Sequence, residues 1–324
     1  MSGFFTRREF LRSTFAWTTA LTAGGLWPRL RWPWISAAQA ETGPPPMRPL
    51  GRTGVNVTIV GLGGEGVMRS TGRMRESVPV IRRALDLGIN YFDTAPAYQQ
   101  SQDYLGEGLG GDRGDRTRIF LASKTHDRSR DGSLRLLENS LQRLRTDHLD
   151  LWQLHDLRDR EDLERIFGRG GAIEAVEAAK AHGLIRFVGI TGHYDPAVLV
   201  EALERYPFDT VLASLNVADP HRLPFRSTVL PAAQQRGAGV IAMKVLAQGS
   251  LTHVTPTVSV AQAIQYVLSL PISTAIIGCD RPAQVEENVR IGAAFAKLVE
   301  SDMEQLEETV RPVARQLSGF KKWW

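Results

Sequence analysis

The stretch GINYFDTAPAYQQSQDYLGEGL, Gly88 to Leu109, contains a short apolar run, Ile89 to Phe92, that stops on an aspartate. A tyrosine stands five residues later and a helical segment lies close behind. A buried strand that ends on an ionisable residue hands that residue to one rim of a sheet. Whether other strands of this chain end the same way decides the fold.

They recur in regular order. Apolar runs rich in β-branched residues appear at Val57 to Val60, Tyr91 to Phe92, Ile119 to Leu121, Leu149 to Leu154, Phe187 to Ile190, Val211 to Leu215, Val240 to Met243 and Thr274 to Ile277. Amphipathic segments separate them: Ser77 to Leu87, Ser133 to Leu144, Ile173 to His182, Pro196 to Tyr206, Leu230 to Arg236, Val258 to Leu268 and Pro282 to Arg290. Leu134, Leu137, Leu141 and Leu144 show the helical spacing. Strands alternating with helices pair in parallel through right-handed crossovers, and eight of them without an outlying second domain predict an α/β fold closed as a (β/α)8 TIM barrel. An open dinucleotide-binding sheet would place G-x-G-x-x-G straight after its first strand and at the start of a helix. Here GLGGEG follows Val60, but Met68 to Arg75 intervene before the helix.

The N-terminus reads differently. TRREFLRS, Thr6 to Ser13, precedes the mildly apolar run Thr14 to Leu26, and AQA at Ala38 to Ala40 has the small-x-small pattern of a cleavage site. Arg7 and Arg8 followed by Phe10 and Leu11 resemble the twin-arginine (Tat) export signal. Gly24, Gly25 and Pro28 break the apolar run short of the roughly 20 residues a membrane span needs. The expected organisation is a signal peptide over residues 1–40, a proline-rich linker over 41–46 and the barrel over 47–324, with the periplasm as destination and the twin-arginine translocase as a transient partner. Five arginines against Glu9 in residues 1–40 account for the whole formal charge of +4. The processed chain is then formally neutral, with no net basic field to attract nucleic acid or anionic lipid, and it is expected to hold no stable membrane span. Cys279 is the only cysteine, which excludes an intramolecular disulfide and a metal–thiolate cluster held by this chain alone.

In a barrel the site lies where strands end at the C-terminal face. Those ends carry Asp93, then Lys124 in IFLASK, then His155 in LDLWQLH, with Tyr98 on the loop beyond Asp93. A phenol's reference pKa of about 10 is high for proton donation at neutral pH. A neighbouring ammonium should lower it, and an aspartate should keep that ammonium charged. A histidine beside them can donate to a carbonyl oxygen as charge develops there. The set suits proton delivery to a carbonyl that receives hydride, and it contains neither a nucleophile–base pair nor metal-ligand spacing.

The chain resembles the aldo-keto reductase superfamily over essentially all of residues 41–324. PLGRTGVNVTIVGLG, Pro49 to Gly63, looks like the family's hairpin closing the barrel bottom, GINYFDTAPAYQQSQDYLGEGL is similar to its G-x-N-x-x-D-T-A-x-x-Y signature, and NSLQRLRTDHLDLWQLH resembles its helix-three and strand-four signature. The resemblance implies that Asp93, Tyr98, Lys124 and His155 form the catalytic tetrad, with Tyr98 as general acid for NAD(P)H-dependent reduction of a small aldehyde or ketone.

It also implies a cofactor site, NADP(H) before NAD(H). Gly63 and Gly64 lie at the first strand. Thr191 and Gly192 in VGITGHY stand where the family carries Ser-Asn for the nicotinamide carboxamide, so the hydroxyl is kept and the amide lost. Leu212 stands where a glutamine often assists. Met243 and Lys244 in IAMKVLAQG resemble the segment along the ring and pyrophosphate. IIGCDRPAQVEEN resembles the adenosine clamp, with Glu287 and Asn288 toward adenine. Gly278 and Gln284 replace the lysine and arginine that grip a 2′-phosphate in many members, leaving Arg281 as the substitute. The lost amides motivate a second expectation, a dinucleotide-binding sensor or scaffold with negligible turnover. The loops after the strands, HDRSRDG, HDLRDRED and ADPHRLPFRST, are rich in arginine and aspartate and suggest anionic or polyhydroxylated carbonyl compounds.

Overall fold

In this computed structural model, residues 43, 45–110 and 116–321 are described. The expected signal peptide over residues 1–40 and residues 41, 42 and 44 of the expected linker lie outside them, as do Lys322 to Trp324. Two short strands, β1 (Met47–Pro49) and β2 (Asn56–Thr58), pair antiparallel, and eight more form a closed barrel. These are β3 (Val60–Gly66), β4 (Tyr91–Asp93), β5 (Phe120–Thr125), β6 (Leu149–Leu154), β7 (Ile185–Gly192), β8 (Thr210–Ser214), β9 (Gly239–Met243) and β10 (Thr274–Cys279). All neighbours within the barrel run parallel. The seam joins β10 to β3, with Ala275 opposite Val60 and, after an irregularity, Cys279 opposite Gly66.

The connecting helices include α1 (Met74–Asp86), α2 (Ser101–Gly108), α3 (Arg130–Leu144), α4 (Arg160–Phe167), α5 (Ala172–Ala181), α6 (Pro196–Arg205), α7 (Phe225–Gln235), α8 (Leu251–Val254), α9 (Val260–Ser269) and α10 (Pro282–Ala293). Among the described residues no helix is long and apolar enough to cross a membrane. The barrel expectation is met, with one boundary displaced. The run Val57 to Val60 spans two elements, since β2 ends at Thr58 and β3 begins at Val60. GLGGEG lies inside β3 rather than after a strand.

Inside the barrel, Tyr91, Phe120, Leu151, Leu212, Ile241 and Ile276 make one apolar layer together with Leu50 and Val57 of the hairpin. Tyr91 stacks on Phe120 at 5.5 Å and Phe120 on Phe187 at 6.1 Å between ring centroids. Arg52 of the hairpin turn donates to the carbonyls of Pro207 and Arg236, just before β8 and β9 begin, so the hairpin covers the N-terminal ends of those strands. Strand side chains alternate with period two. The inward files that start at Tyr91, Phe120 and Leu151 therefore continue upward to Asp93, Lys124, Gln153 and His155. An apolar plug below and polar groups above make one end of the barrel chemically distinct.

At that polar end the chain's last described residue is anchored. Lys321 is buried and donates to Asp219 at 2.6 Å, to the Arg222 carbonyl at 2.9 Å and to the Leu223 carbonyl at 3.0 Å. This ties the C-terminal segment to the loop between β8 and α7.

Candidate active site

Lys124, 0% exposed, donates to Asp93 Oδ2 at 2.5 Å and to the Thr94 carbonyl at 2.8 Å. Gln153 donates to the other carboxylate oxygen at 3.3 Å. Burial pushes the Asp93 carboxyl up and the Lys124 ammonium down, and their mutual attraction opposes both shifts. The Lys124 ammonium lies 4.7 Å from the centre of the Tyr98 ring, and the edge of His155 meets that ring at 5.7 Å between centroids and 83°. The four rim residues, scattered from position 93 to 155, therefore stand together.

Their proton states differ in one respect from the sequence expectation. Burial, reinforced by the carboxylates of Asp93 and Glu65, raises the Tyr98 phenol well above its ordinary range, against a smaller pull from Arg69. Lys124, paired with Asp93, does not offset the burial. Tyr98 is thus a neutral, proton-bearing phenol. His155 is driven well below its usual value by burial and by the positive charge of Lys124, so its ring is neutral at physiological pH.

Tyr98 and Asp93 open onto a cavity of about 630 Å³, within the roughly 300–1,000 Å³ common for ligand pockets. Gly63 and Gly64 line one wall, Met243 and Lys244 a second, and Gly278, Gln284, Glu287 and Asn288 a third. Eight of the predicted cofactor positions therefore share one cleft. Thr191, Gly192 and Arg281 lie outside its lining. The Thr191 hydroxyl instead accepts from the Asp156 N–H at 2.7 Å. Gly192 is held small by packing, since a Cβ there would come within 3.0 Å of Leu199 and 3.1 Å of the Leu157 carbonyl. A Cβ on Gly278 would lie 2.8 Å from the Glu65 backbone, so β3 closes the position where the family pattern carries lysine. Gln284 accepts from the N–H of Asp280 at 2.6 Å and of Arg281 at 3.2 Å, capping α10, while Asn288 donates to Cys279 at 3.3 Å. Burial pushes the Cys279 thiol up to about 12, leaving it unreactive.

Several residues at this end were not singled out by the sequence. Glu65 bridges two cations, Lys244 at 2.7 Å and Arg69 at 2.6 Å, and Arg69 stacks over the Tyr98 ring at 5.4 Å. Ser214, in register with the cavity-lining Met243, has a buried hydroxyl with no hydrogen-bond partner among the described residues. Asp156 and His193 form a pair at 2.7 Å. Counting back two from His155 reaches Gln153, but nothing local connects Asp156 with His193.

The aldo/keto reductase family pattern matches residues 60–259. The chain is 32% identical over 314 residues to L-galactose dehydrogenase of Arabidopsis thaliana, covering 85% of this chain and 95% of that one. It is 25% identical over 282 residues to D-threo-aldose 1-dehydrogenase of a Pseudomonas species, covering 67% and 83%. A solved aldo-keto reductase from Bacillus halodurans, in its holo form, superposes with a TM-score of 0.65 at 25% identity, covering 82% of this chain and 96% of that one. With eight parallel strands closed into a barrel, a polar rim at one end and a family match across most of the described residues, the chain belongs to the aldo/keto reductase family and is an oxidoreductase.

Proposed function

We propose that the protein reduces an aldehyde or ketone to an alcohol with NAD(P)H, Tyr98 giving the proton. The observation that carries this reading is a neutral phenol open to the cavity, set against the neutral ring of His155 and the buried Lys124–Asp93 pair. When bound, the nicotinamide cofactor supplies hydride. The residues present suit such a group: Lys244 offers a cation to a phosphate, the glycines of β3 and β10 leave backbone exposed along the cleft, and the orphan hydroxyl of Ser214 offers a polar partner beside Met243. The chain's own part is protonic. Tyr98 delivers its proton to the carbonyl oxygen, His155 donates a hydrogen bond to that oxygen, and Lys124 with Asp93 fixes the charge beneath the ring. Sugar-directed names among the relatives, with the arginine and aspartate of the rim loops, favour a polyhydroxylated carbonyl compound.

The deciding experiment is oxidation of NADPH and of NADH by a panel of simple and hydroxylated aldehydes. Tight cofactor binding without turnover of any of them would mean that the protein is a dinucleotide sensor or scaffold instead.

NADP(H) is the favoured cofactor, with Arg281 meeting the 2′-phosphate. Arg281 is exposed at the N-terminus of α10. Arg281→Ala should weaken NADPH more than NADH, because a charge-assisted hydrogen bond contributes roughly 1.5–3 kcal/mol, or about ten- to a hundredfold in Kd. Titrations of both cofactors against both proteins check this. Equal weakening would assign Arg281 to loop support.

The proposal extends to export by the twin-arginine route, with processing after Ala40. Exchanging Arg7 and Arg8 for Lys keeps the charge but removes the paired guanidinium groups that a receptor reads. Periplasmic accumulation, followed by cell fractionation, is expected to be lost. Unchanged accumulation would rule this route out.

A further inference from the structure

Asp156 follows His155 at the end of β6 and adopts φ +57°, a left-handed conformation that non-glycine residues take up only when their surroundings hold it. Here three contacts hold it. Its N–H donates to the Thr191 hydroxyl at 2.7 Å, Arg158 donates to Oδ2 twice at 3.0 Å, and its remaining oxygen, Oδ1, faces His193 Nδ1 at 2.7 Å. Burial alone would raise the Asp156 carboxyl, but the bonds from His193 and Arg158 outweigh it and keep the group ionised. A carboxylate accepts only, so Nδ1 of His193 carries the hydrogen it donates. Burial holds the His193 ring below its usual pKa, and the neutral ring keeps a lone pair on Nε2. No other hydrogen bond is made by that ring among the described residues.

The position of the ring matters as much as its tautomer. On β7 the inward file runs through Phe187, Gly189 and Thr191, and His193 stands two residues further, just beyond the strand. Its side chain is 13% exposed. Lys244, just beyond β9, opposes protonation of this ring and Glu65 on β3, the strand opposite β7, favours it. His193 and His155 stand close enough that each ring opposes protonation of the other. The ring therefore stands at the mouth, near His155, and is not among the residues that line the cleft bounded by β3, β9 and β10.

We infer that His193, oriented by Asp156, is the hydrogen-bond acceptor by which the site selects a carbonyl compound carrying a hydroxyl on the neighbouring carbon. This rests on the carbonyl-reductase reading above. The substrate hydroxyl donates to Nε2, and the Asp156 carboxylate strengthens the acceptor by polarising the ring from its far side. Asp156 is a positioning residue, for it acts through His193.

Glycolaldehyde and acetaldehyde differ only in that hydroxyl, and the readout is the ratio of their kcat/KM values. His193→Phe keeps a ring and removes the acceptor, so the ratio should fall about tenfold, mostly through KM of glycolaldehyde, as expected when a site loses a hydrogen bond to one substrate alone. His193→Gln, which restores an acceptor oxygen, should recover part of it. Asp156→Asn should lower the ratio less than His193→Phe. A ratio unmoved in His193→Phe, or an equal loss for both aldehydes, overturns the assignment. If His193→Phe does not fold, the ratio in His193→Gln and Asp156→Asn decides, and no change in either also overturns it. Wild-type protein that reduces neither aldehyde defeats the underlying reading instead, and the inference with it.

Discussion

Replacing Tyr98 by Phe is expected to reduce kcat by ~100-fold or more, the usual contribution of a positioned general acid. The ring would remain between Lys124 and His155, so their packing should persist. Only the hydroxyl that opens to the cavity disappears. His155 does not replace it, because burial and the charge of Lys124 leave its ring without the extra proton. Cofactor affinity should change little, since the dinucleotide-binding residues proposed above lie on other strands. Steady-state turnover together with a cofactor titration separates the two effects. Retention of more than about a tenth of the wild-type rate would remove Tyr98 from the role of acid, given the contribution such an acid makes.

Lys124→Met should instead reduce stability, by about 3–5 kcal/mol, the usual result of deleting one partner of a buried ion pair. Asp93 would then be a carboxylate 1% exposed with Gln153 as its remaining side-chain donor. The sign with pH follows from proton uptake. Burial already raises the Asp93 carboxyl in the native protein, and without Lys124 it rises further. The folded variant binds a proton that the unfolded chain at the same pH does not, so its relative stability recovers as pH falls through the raised pKa and is lost as pH rises. Denaturant unfolding at several pH values measures this. The double variant with Asp93→Asn should regain most of the loss at neutral pH, and failure to do so would mean that methionine simply does not fit the barrel.

The two substitutions touch residues that were legible in the sequence, for a physical reason. Asp93, Lys124 and His155 each terminate an apolar run, and in a parallel barrel every run ends at the same rim. Less legible were places where local chemistry misleads. Gly61, Gly63, Gly64 and Gly66 suppress the signal of a strand, so the first apolar run ended at Val60, yet β3 continues through GLGGEG against β10. HDLRDRED, His155 to Asp162, read as a charged loop, although Asp159 caps a helix over Arg160–Phe167 by accepting from the Asp162 N–H. The pairing of Asp156 with His193 joins two strand ends with no periodic relation, and only the folded barrel brings them to 2.7 Å. The expected depression of the Tyr98 phenol failed because sequence shows which charges are near but not how burial weighs against them.

The seam between β3 and β10 has a consequence for biosynthesis. Val60 pairs with Ala275, so almost the whole barrel must be made before its first strand acquires its second neighbour. Strands β3 to β9 can line up in order as they leave the ribosome, but until Cys279 has emerged β3 and β9 remain open edges, each with unpaired backbone donors and acceptors. Closure over so long a loop is slow relative to local helix formation. Barrel closure therefore waits for the last strand, and a nascent chain stalled short of Thr274 is a sheet with two adhesive margins.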